Sequence, residues 1–233
     1  SSNACLIQSE KVLKLDSPDD VLKGESLSVS TTLTNIGDVT ASDVRATQSS
    51  GLSLTPQVVD AGTLEPDATI ETSFEGNGDQ AGEFTIEFTA TNAEDKPLTR
   101  DITISVLSKA DVTANASDTI RNINTQINDS KEISKGQQKQ LVAKLDSALS
   151  SLKKVQSFID QDRAKQANNQ LRTASKQMGA FLNAFNALTN RGGKSNGKKS
   201  RTPKQISDRF QQTVTRRAEL VIDQLTRAQK AEI

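Results

Sequence analysis

The chain has 233 residues, and its 29 basic and 29 acidic side chains give a formal net charge of zero. It contains no His, Trp or Tyr and a single Cys, so the commonest general base and neutral metal ligand are missing. One Cys excludes an internal disulfide framework and a multi-cysteine zinc site, and the lack of Trp and Tyr removes the usual aromatic anchors of tight interfaces.

The zero net charge hides two modules that meet near Lys109. Residues 1–109 carry 7 basic and 18 acidic side chains, a net charge of −11, and their apolar residues alternate. Residues 110–233 carry 22 basic and 11 acidic side chains, a net charge of +11, with apolar residues at every third or fourth position. We therefore expect a β domain over 1–109 and a helical domain over 110–233, each with its own core.

The first module contains about seven short candidate strands. Alternation predicts strands over 26–35, 70–74, 84–90 and 102–106, with shorter ones at 11–15, 43–47 and near Val58. The strand over 84–90 is expected to pair with the strand over 102–106 across a turn at 94–97. This spacing of strands and turns is typical of an immunoglobulin-like antiparallel β-sandwich.

Two turn motifs in this module carry a family resemblance. Thr34-Asn35-Ile36-Gly37 ends one strand, and Gly62-Thr63-Leu64-Glu65-Pro66 forms a later edge turn. Residues 10–107 thereby resemble the CARDB-type modules of bacterial and archaeal surface proteins, although Asp67 replaces the usual second glycine of the turn. The resemblance implies a spacer or adhesion-associated role and no catalysis.

Two groups of acidic residues in the first module invite a chemical interpretation. Glu83 and Glu87 would share a strand face, either as a carboxylate pair or as part of a solvated surface. Asp16, Asp19 and Asp20 could bind calcium, but they lack EF-hand spacing. We interpret the first group as a solvated strand face and the second as an acidic loop.

The second module contains four amphipathic segments. Apolar stripes predict a short helix ending near 129–130, and a longer helix with Ser134 as its N-cap. A third helix is expected to be capped by Asp160 or Asp162, and a final one to begin after Thr202-Pro203. Such one-faced helices can bury their stripes only against one another, which predicts an antiparallel helical bundle.

Part of the second module resembles the FIMAH domain found at the ends of secreted bacterial and archaeal proteins. The match covers about 117–186, and extends to about 225 if the last helix closes the domain. The chain departs from the family pattern in two places: the turn motif expected before Ala164 is missing, and a long basic insertion precedes the last helix. The resemblance implies an extracellular accessory role and transfers no catalytic residues; the matching positions are Ile133-Ser134-Lys135-Gly136, Leu141, Lys144-Leu145, Ala148, Ala164, Ala167, Asn169-Gln170-Leu171 and Phe181.

A flexible basic loop is expected at 190–204 and is a candidate contact for an anionic polymer. Clustered cations would bind such a polymer by releasing its counterions. The absence of interleaved aromatic residues argues against sequence-specific nucleic-acid recognition. A solvated linker is the alternative interpretation. The basic residues of the loop are Arg191, Lys194, Lys198, Lys199, Arg201 and Lys204.

Three further positions are candidates for covalent modification. Asn115 and Asn128 each begin an N-glycosylation sequon, which is compatible with secretion. Cys5 would be a lipid anchor if it were the first residue of the mature protein, and a small buried thiol otherwise. No apolar run reaches the roughly 20 residues that a membrane helix needs, so no transmembrane segment is expected.

Together these features predict a non-enzymatic extracellular or cell-surface module that uses no cofactor. It would serve as a structural spacer, adhesion or envelope-contact region of a larger surface protein. Its partners would be a cell-envelope glycan or other domains of the same protein. Two alternatives stay open, namely an accessory glycan-binding region of a secreted hydrolase and anionic-polymer binding through the basic loop.

Overall fold

A computed structural model describes residues 11–93, 97–189 and 206–230. The chain divides into two compact units, with the boundary between Leu107 and Ser108. The strand unit contains β1 (Lys11–Asp16), β2 (Asp20–Leu22), β3 (Ser26–Asn35), β4 (Ala41–Ser49), β5 (Val58–Leu64), β6 (Thr69–Asn77), β7 (Gly82–Thr91) and β8 (Leu98–Leu107). The helical unit contains α1 (Lys109–Asp129), α2 (Lys135–Ile159), α3 (Ala164–Thr189) and α4 (Asp208–Ala228).

The described strands form two sheets. One has three strands in the order β1-β3-β6, and the other has five in the order β2-β8-β7-β4-β5. Every strand pair is antiparallel except β2 with β8, which is parallel. The predicted pairing of the strands over 84–90 and 102–106 is confirmed, with Ile86 opposite Ile102.

The fold class expected from the sequence is wrong. One of the two sheets is a curled half-barrel, and the parallel β2–β8 pair shows that the strand unit is not a wholly antiparallel sandwich. Four helices follow the strands, but they are not shown to form an antiparallel bundle. Pro18 gives a physical reason for the change of sheet that allows this pair: it lacks an N–H and interrupts the ladder between β1 and β2, so the chain leaves the first sheet and joins the second.

The core of the strand unit comes from the inward residues of alternating strands. On β3, Leu27, Val29 and Leu33 are buried, while the intervening serines are exposed. The rings of Phe74 on β6 and Phe88 on β7 meet with centroids 5.2 Å apart and so join the two sheets. Burial of each such side chain contributes about 1.5–3 kcal/mol, which makes this core the main source of stability.

The helices bury the apolar stripes that the sequence predicts. Leu141, Leu145 and Leu152 of α2 are buried, as are Met178 and Phe181 of α3. Helix α2 packs against α1 and α3, and α4 packs against α3 and α1. Ser134 is the N-cap of α2, as predicted, and its side chain forms a capping box with Gln137. Ser108 and Asp111 form a second capping box at the start of α1.

Several helix boundaries differ from the sequence-based expectation. The first helix is not short, because it already begins at Lys109. Asp160 is the C-cap of α2, and Asp162 adopts a left-handed conformation with φ of 54°, so neither residue caps α3. Helix α4 begins at Asp208 with Ser207 as its N-cap. Asp160 caps α2 through its own backbone N–H, which donates to the Gln156 carbonyl. Any residue other than proline can supply this donor, so the preference of Asp side chains for N-caps gives no guide here.

Candidate functional site

The Thr34-Asn35-Ile36-Gly37 motif is a structural joint between the two sheets. The fully buried Asn35 side chain donates from Nδ2 to the carbonyl oxygens of Val39 at 2.8 Å and Leu64 at 2.9 Å. Its Oδ1 accepts a hydrogen bond from the Gly37 N–H at 3.0 Å. Asn35 ends β3 in one sheet and Leu64 ends β5 in the other, so this amide holds the fold together.

The parallel pair formed by β2 and β8 lies where the chain leaves the strand unit. Val21 is paired with Val106, and Leu22 with Leu107. Beyond the ends of β2, the Ser105 N–H donates to the Asp19 carbonyl at 3.2 Å, and the Lys23 N–H donates to the Leu107 carbonyl at 2.9 Å. Val21, Leu22 and Val106 are buried, so this short pair is shielded from water.

The acidic residues noted in the strand unit lie at its surface. Glu83 and Glu87 are exposed on β7, and Glu87 lies directly opposite Asp101 of β8. Asp16 and Asp19 are exposed as well. Within 11–93, 97–189 and 206–230, no group of three or more His, Cys, Asp or Glu residues is placed to hold a metal ion.

Both candidate glycosylation sites lie on α1, where Asn115 and Asn128 are exposed. The Asn128 side chain donates to Oδ1 of Asn124 at 2.7 Å. The first sequon is held in helical conformation, because the Ser117 hydroxyl donates to the Thr113 carbonyl at 2.8 Å. The candidate lipid anchor Cys5 and all six basic residues of the predicted loop at 190–204 lie outside the described residues.

A buried lysine is a site that the sequence analysis did not identify. Lys109 is only 2% exposed, and its Nζ donates to Oδ1 of Asn168 on α3 at 2.8 Å. Burial removes water from the ammonium group and thereby lowers the pKa of Lys109 from its usual 10.5. The signal was present in the sequence, since Lys109 precedes the buried Val112 and Ala116 by three and seven residues and so lies on the apolar stripe of α1.

The helix pair α2–α3 carries the most one-sided charge among the described helices. Five basic residues and one acidic residue lie on α2, and three basic residues and no acidic residue lie on α3. The three on α3 are Lys165, Arg172 and Lys176, which we call the α3 basic stripe. All three are exposed, and their spacing of seven and four residues places them on one face of the helix.

The rest of α2–α3 does not neutralise these charges. Asp146 is the single carboxylate on the two helices, and its Oδ1 accepts a hydrogen bond from Asn124 of α1. Among the described residues, the basic side chains of α2 and α3 form no ion pair. The basic residues of α2 do not form a single face of that helix, since Lys153 lines a groove between α2 and α1, whereas the three of the α3 basic stripe do share a face.

None of the helices within 11–93, 97–189 and 206–230 is both long enough and apolar enough to cross a membrane.

The chain is similar to known proteins only in comparisons with solved structures. No protein-family model matches the chain, and no curated protein matches it. It is similar to the CARDB domain of the PF1109 protein from Pyrococcus furiosus, a structure described as a complex with di-metal ions. The two are 18% identical, the match covers 46% of this chain and 95% of that chain, and the TM-score is 0.38.

Two further solved structures show similarities of comparable size. One is the PapD-like domain 7 of human CEP192, with 13% identity, 46% and 97% of the two chains covered, and a TM-score of 0.28. The other is a conjugative transposon lipoprotein from Bacteroides eggerthii, with 10% identity, 40% and 95% covered, and a TM-score of 0.30. With TM-scores below 0.5, none of these similarities carries an argument about function, and the FIMAH resemblance of the helices is not confirmed.

Proposed function

We propose that this chain is a non-catalytic module of an extracellular or cell-surface protein. Its strand unit acts as a spacer that bears tension, and its helical unit contacts the cell envelope. The observation that carries the proposal is the parallel pairing of β2 with β8. The partners proposed are a cell-envelope glycan and other domains of the same surface protein.

The direction of the two paired strands decides how they respond to force. The chain enters the unit through β1, which pairs with β3, and leaves it after β8. Once β1 has separated from β3, tension pulls β2 toward its amino-terminal end and β8 toward its carboxyl-terminal end. In a parallel pair these two pulls are opposed along the strand axis. The hydrogen bonds between the strands are then loaded together in shear, whereas an antiparallel hairpin pulled at its open end breaks one bond at a time.

Packing around the pair adds resistance to the same load. Sliding β2 along β8 would move Val21 and Leu22 out of buried positions, which costs roughly 1.5–3 kcal/mol for each side chain exposed. It would also break the hydrogen bonds from Ser105 N–H to Asp19 and from Lys23 N–H to Leu107. Both costs support a spacer that stays folded while force passes along the chain.

The test is single-molecule force spectroscopy of the full chain held by its two ends. Val21→Pro removes a backbone donor from β2, and Val44→Ala creates a cavity at a fully buried position of β4 outside the pair. Each substitution is expected to lower the free energy of unfolding by about 2–3 kcal/mol. We expect the unfolding force of the strand unit to fall much further in Val21→Pro than in Val44→Ala.

Urea unfolding of both variants establishes that they are matched in thermodynamic stability before the forces are compared. An unfolding force in Val21→Pro equal to that in Val44→Ala would show that β2–β8 bears no special load. The spacer role would then lose its supporting observation.

A further inference from the structure

We propose that the α3 basic stripe binds an anionic polysaccharide. This inference deepens the envelope-contact role proposed above and rests on it. It assigns the contact to an exposed face of α3 instead of to the basic segment at 190–204, and it names the chemistry of the partner.

The net positive charge of the two helices favours a negatively charged partner. The eight basic residues on α2 and α3 repel one another, and they outnumber Asp146 on α2 and Asp160 and Asp162 in the turn between the helices. Among the described residues, none of the eight forms an ion pair that would relieve this repulsion. Such self-repulsion destabilises a fold. A polyanion that neutralises several of these charges gains free energy by releasing its bound counterions.

The kinds of basic side chain indicate how the partner is recognised. Seven of the eight are lysines, and Arg172 is the single arginine. A lysine ammonium group is a compact point charge without the planar fork of arginine, so it places little demand on the geometry of an anion. On α3 the stripe extends from Lys165 to Lys176, which corresponds to about 16 Å of helix. This arrangement suits a flexible chain that carries repeated negative charges.

The neighbouring side chains favour a polysaccharide over a nucleic acid. Asn169 and Asn183 are exposed on α3 at helical spacing from Arg172 and Lys176, and their amides can donate to and accept from sugar hydroxyls. Phe181 and Phe185 are fully buried in α3. Phe158 at the end of α2 is half-buried, and the Arg163 guanidinium covers its ring at 4.9 Å from the centroid. The described residues of α3 therefore offer no aromatic platform beside the stripe, and base stacking contributes much of the affinity for single-stranded nucleic acids.

The test measures binding of the full chain to fluorescently labelled polygalacturonate, with neutral dextran as the uncharged reference. The stripe variant combines Lys165→Gln, Arg172→Gln and Lys176→Gln, and glutamine preserves helix propensity at these exposed positions. The matched control combines Arg209→Gln, Arg216→Gln and Arg217→Gln on α4, which changes the net charge by the same amount. Circular dichroism establishes that both variants are folded.

We expect the chain to bind polygalacturonate and not dextran, with affinity that falls between about 50 and 200 mM salt. The stripe variant should lose at least tenfold in affinity at low salt. The slope of log K against log salt should become shallower by about 2, because the variant removes three cations and each contributes roughly 0.7 to the slope. The α4 control should keep most of the affinity.

Four outcomes would overturn the inference. The first two are absence of polygalacturonate binding at low salt and equal losses of affinity in the stripe variant and the α4 control. The third is tighter binding of single-stranded poly(dT) than of polygalacturonate through the same stripe. The fourth is self-association of the chain, seen by sedimentation velocity, that the stripe variant abolishes. The force measurement concerns the strand unit. If the chain does not bind polygalacturonate but Val21→Pro lowers the unfolding force as expected, only this inference fails. If the chain binds polygalacturonate through the stripe but the unfolding forces of Val21→Pro and Val44→Ala are equal, only the spacer role fails.

Discussion

At the scale of single residues, the amide of Asn35 connects the two sheets. Asn35→Ala leaves the carbonyl groups of Val39 and Leu64 without their donor and the Gly37 N–H without its acceptor. We expect the free energy of unfolding to fall by about 2–4 kcal/mol, because buried polar groups then lack partners. Urea unfolding measures the change. Asn77→Ala, at an exposed position of β6, is the control and should stay within about 0.5 kcal/mol of wild type.

Lys109 is a residue whose burial works against stability. It is the first residue of α1, where the positive end of the helix dipole opposes a cation, and burial lowers its pKa below 10.5. Between that lowered pKa and 10.5, the folded chain binds fewer protons than the unfolded chain, so stability should rise with pH across this window.

The substitution Lys109→Met tests this reasoning. We expect the variant to be more stable than wild type at neutral pH by about 0.5–1 kcal/mol, with an advantage that shrinks as the pH approaches 10.5. Urea unfolding at several pH values gives the two stability curves. The exposed position 139 provides the control Lys139→Met, which should show no such convergence. A gap for Lys109→Met that stays constant with pH would contradict the expected cost of the buried ammonium group.

At the scale of elements, Gln138 of α2 closes the carboxyl end of α1. The two N–H groups of its buried Nε2 are shared among the carbonyl oxygens of Ile127 at 2.9 Å, Asn128 at 3.2 Å and Ser130 at 2.7 Å. Those carbonyls have no later turn of helix to supply donors. We expect Gln138→Ala to lower the free energy of unfolding by about 1–3 kcal/mol and to speed hydrogen exchange in the last turn of α1.

The control for Gln138 is Gln140→Ala, which removes the same side chain at an exposed position of α2. Because this change substitutes a better helix former at the surface, its effect should stay within about 0.5 kcal/mol. Equal losses in both variants would mean that the hydrogen bonds of Gln138 do not stabilise the end of α1.

Elements with many periods of a pattern could be predicted from the sequence, whereas short elements could not. The strand predicted over 26–35 is β3 (Ser26–Asn35) in the structure, with the same limits. The sequence reveals it because five alternating pairs of residues define an inward face. The three residues of β2 show too little alternation to reveal a strand, and their parallel pairing depends on distant Ser105–Leu107. The α3 basic stripe was equally hidden, since only helical spacing brings Lys165, Arg172 and Lys176 to one face.

At the scale of the whole molecule, the two units have separate hydrophobic cores, and their stabilities should be separable. Asn35 belongs to the strand unit and Gln138 to the helical unit, with no shared partner among their hydrogen bonds. In calorimetry we expect two unfolding transitions, one lowered in temperature by Asn35→Ala and the other by Gln138→Ala. The double variant should combine the two losses with a coupling below about 0.5 kcal/mol, as for independent sites. A single transition, or a larger coupling, would mean that the units unfold together, and the loss of the Asn35 hydrogen bonds in the strand unit would then also destabilise the helices that carry the α3 basic stripe.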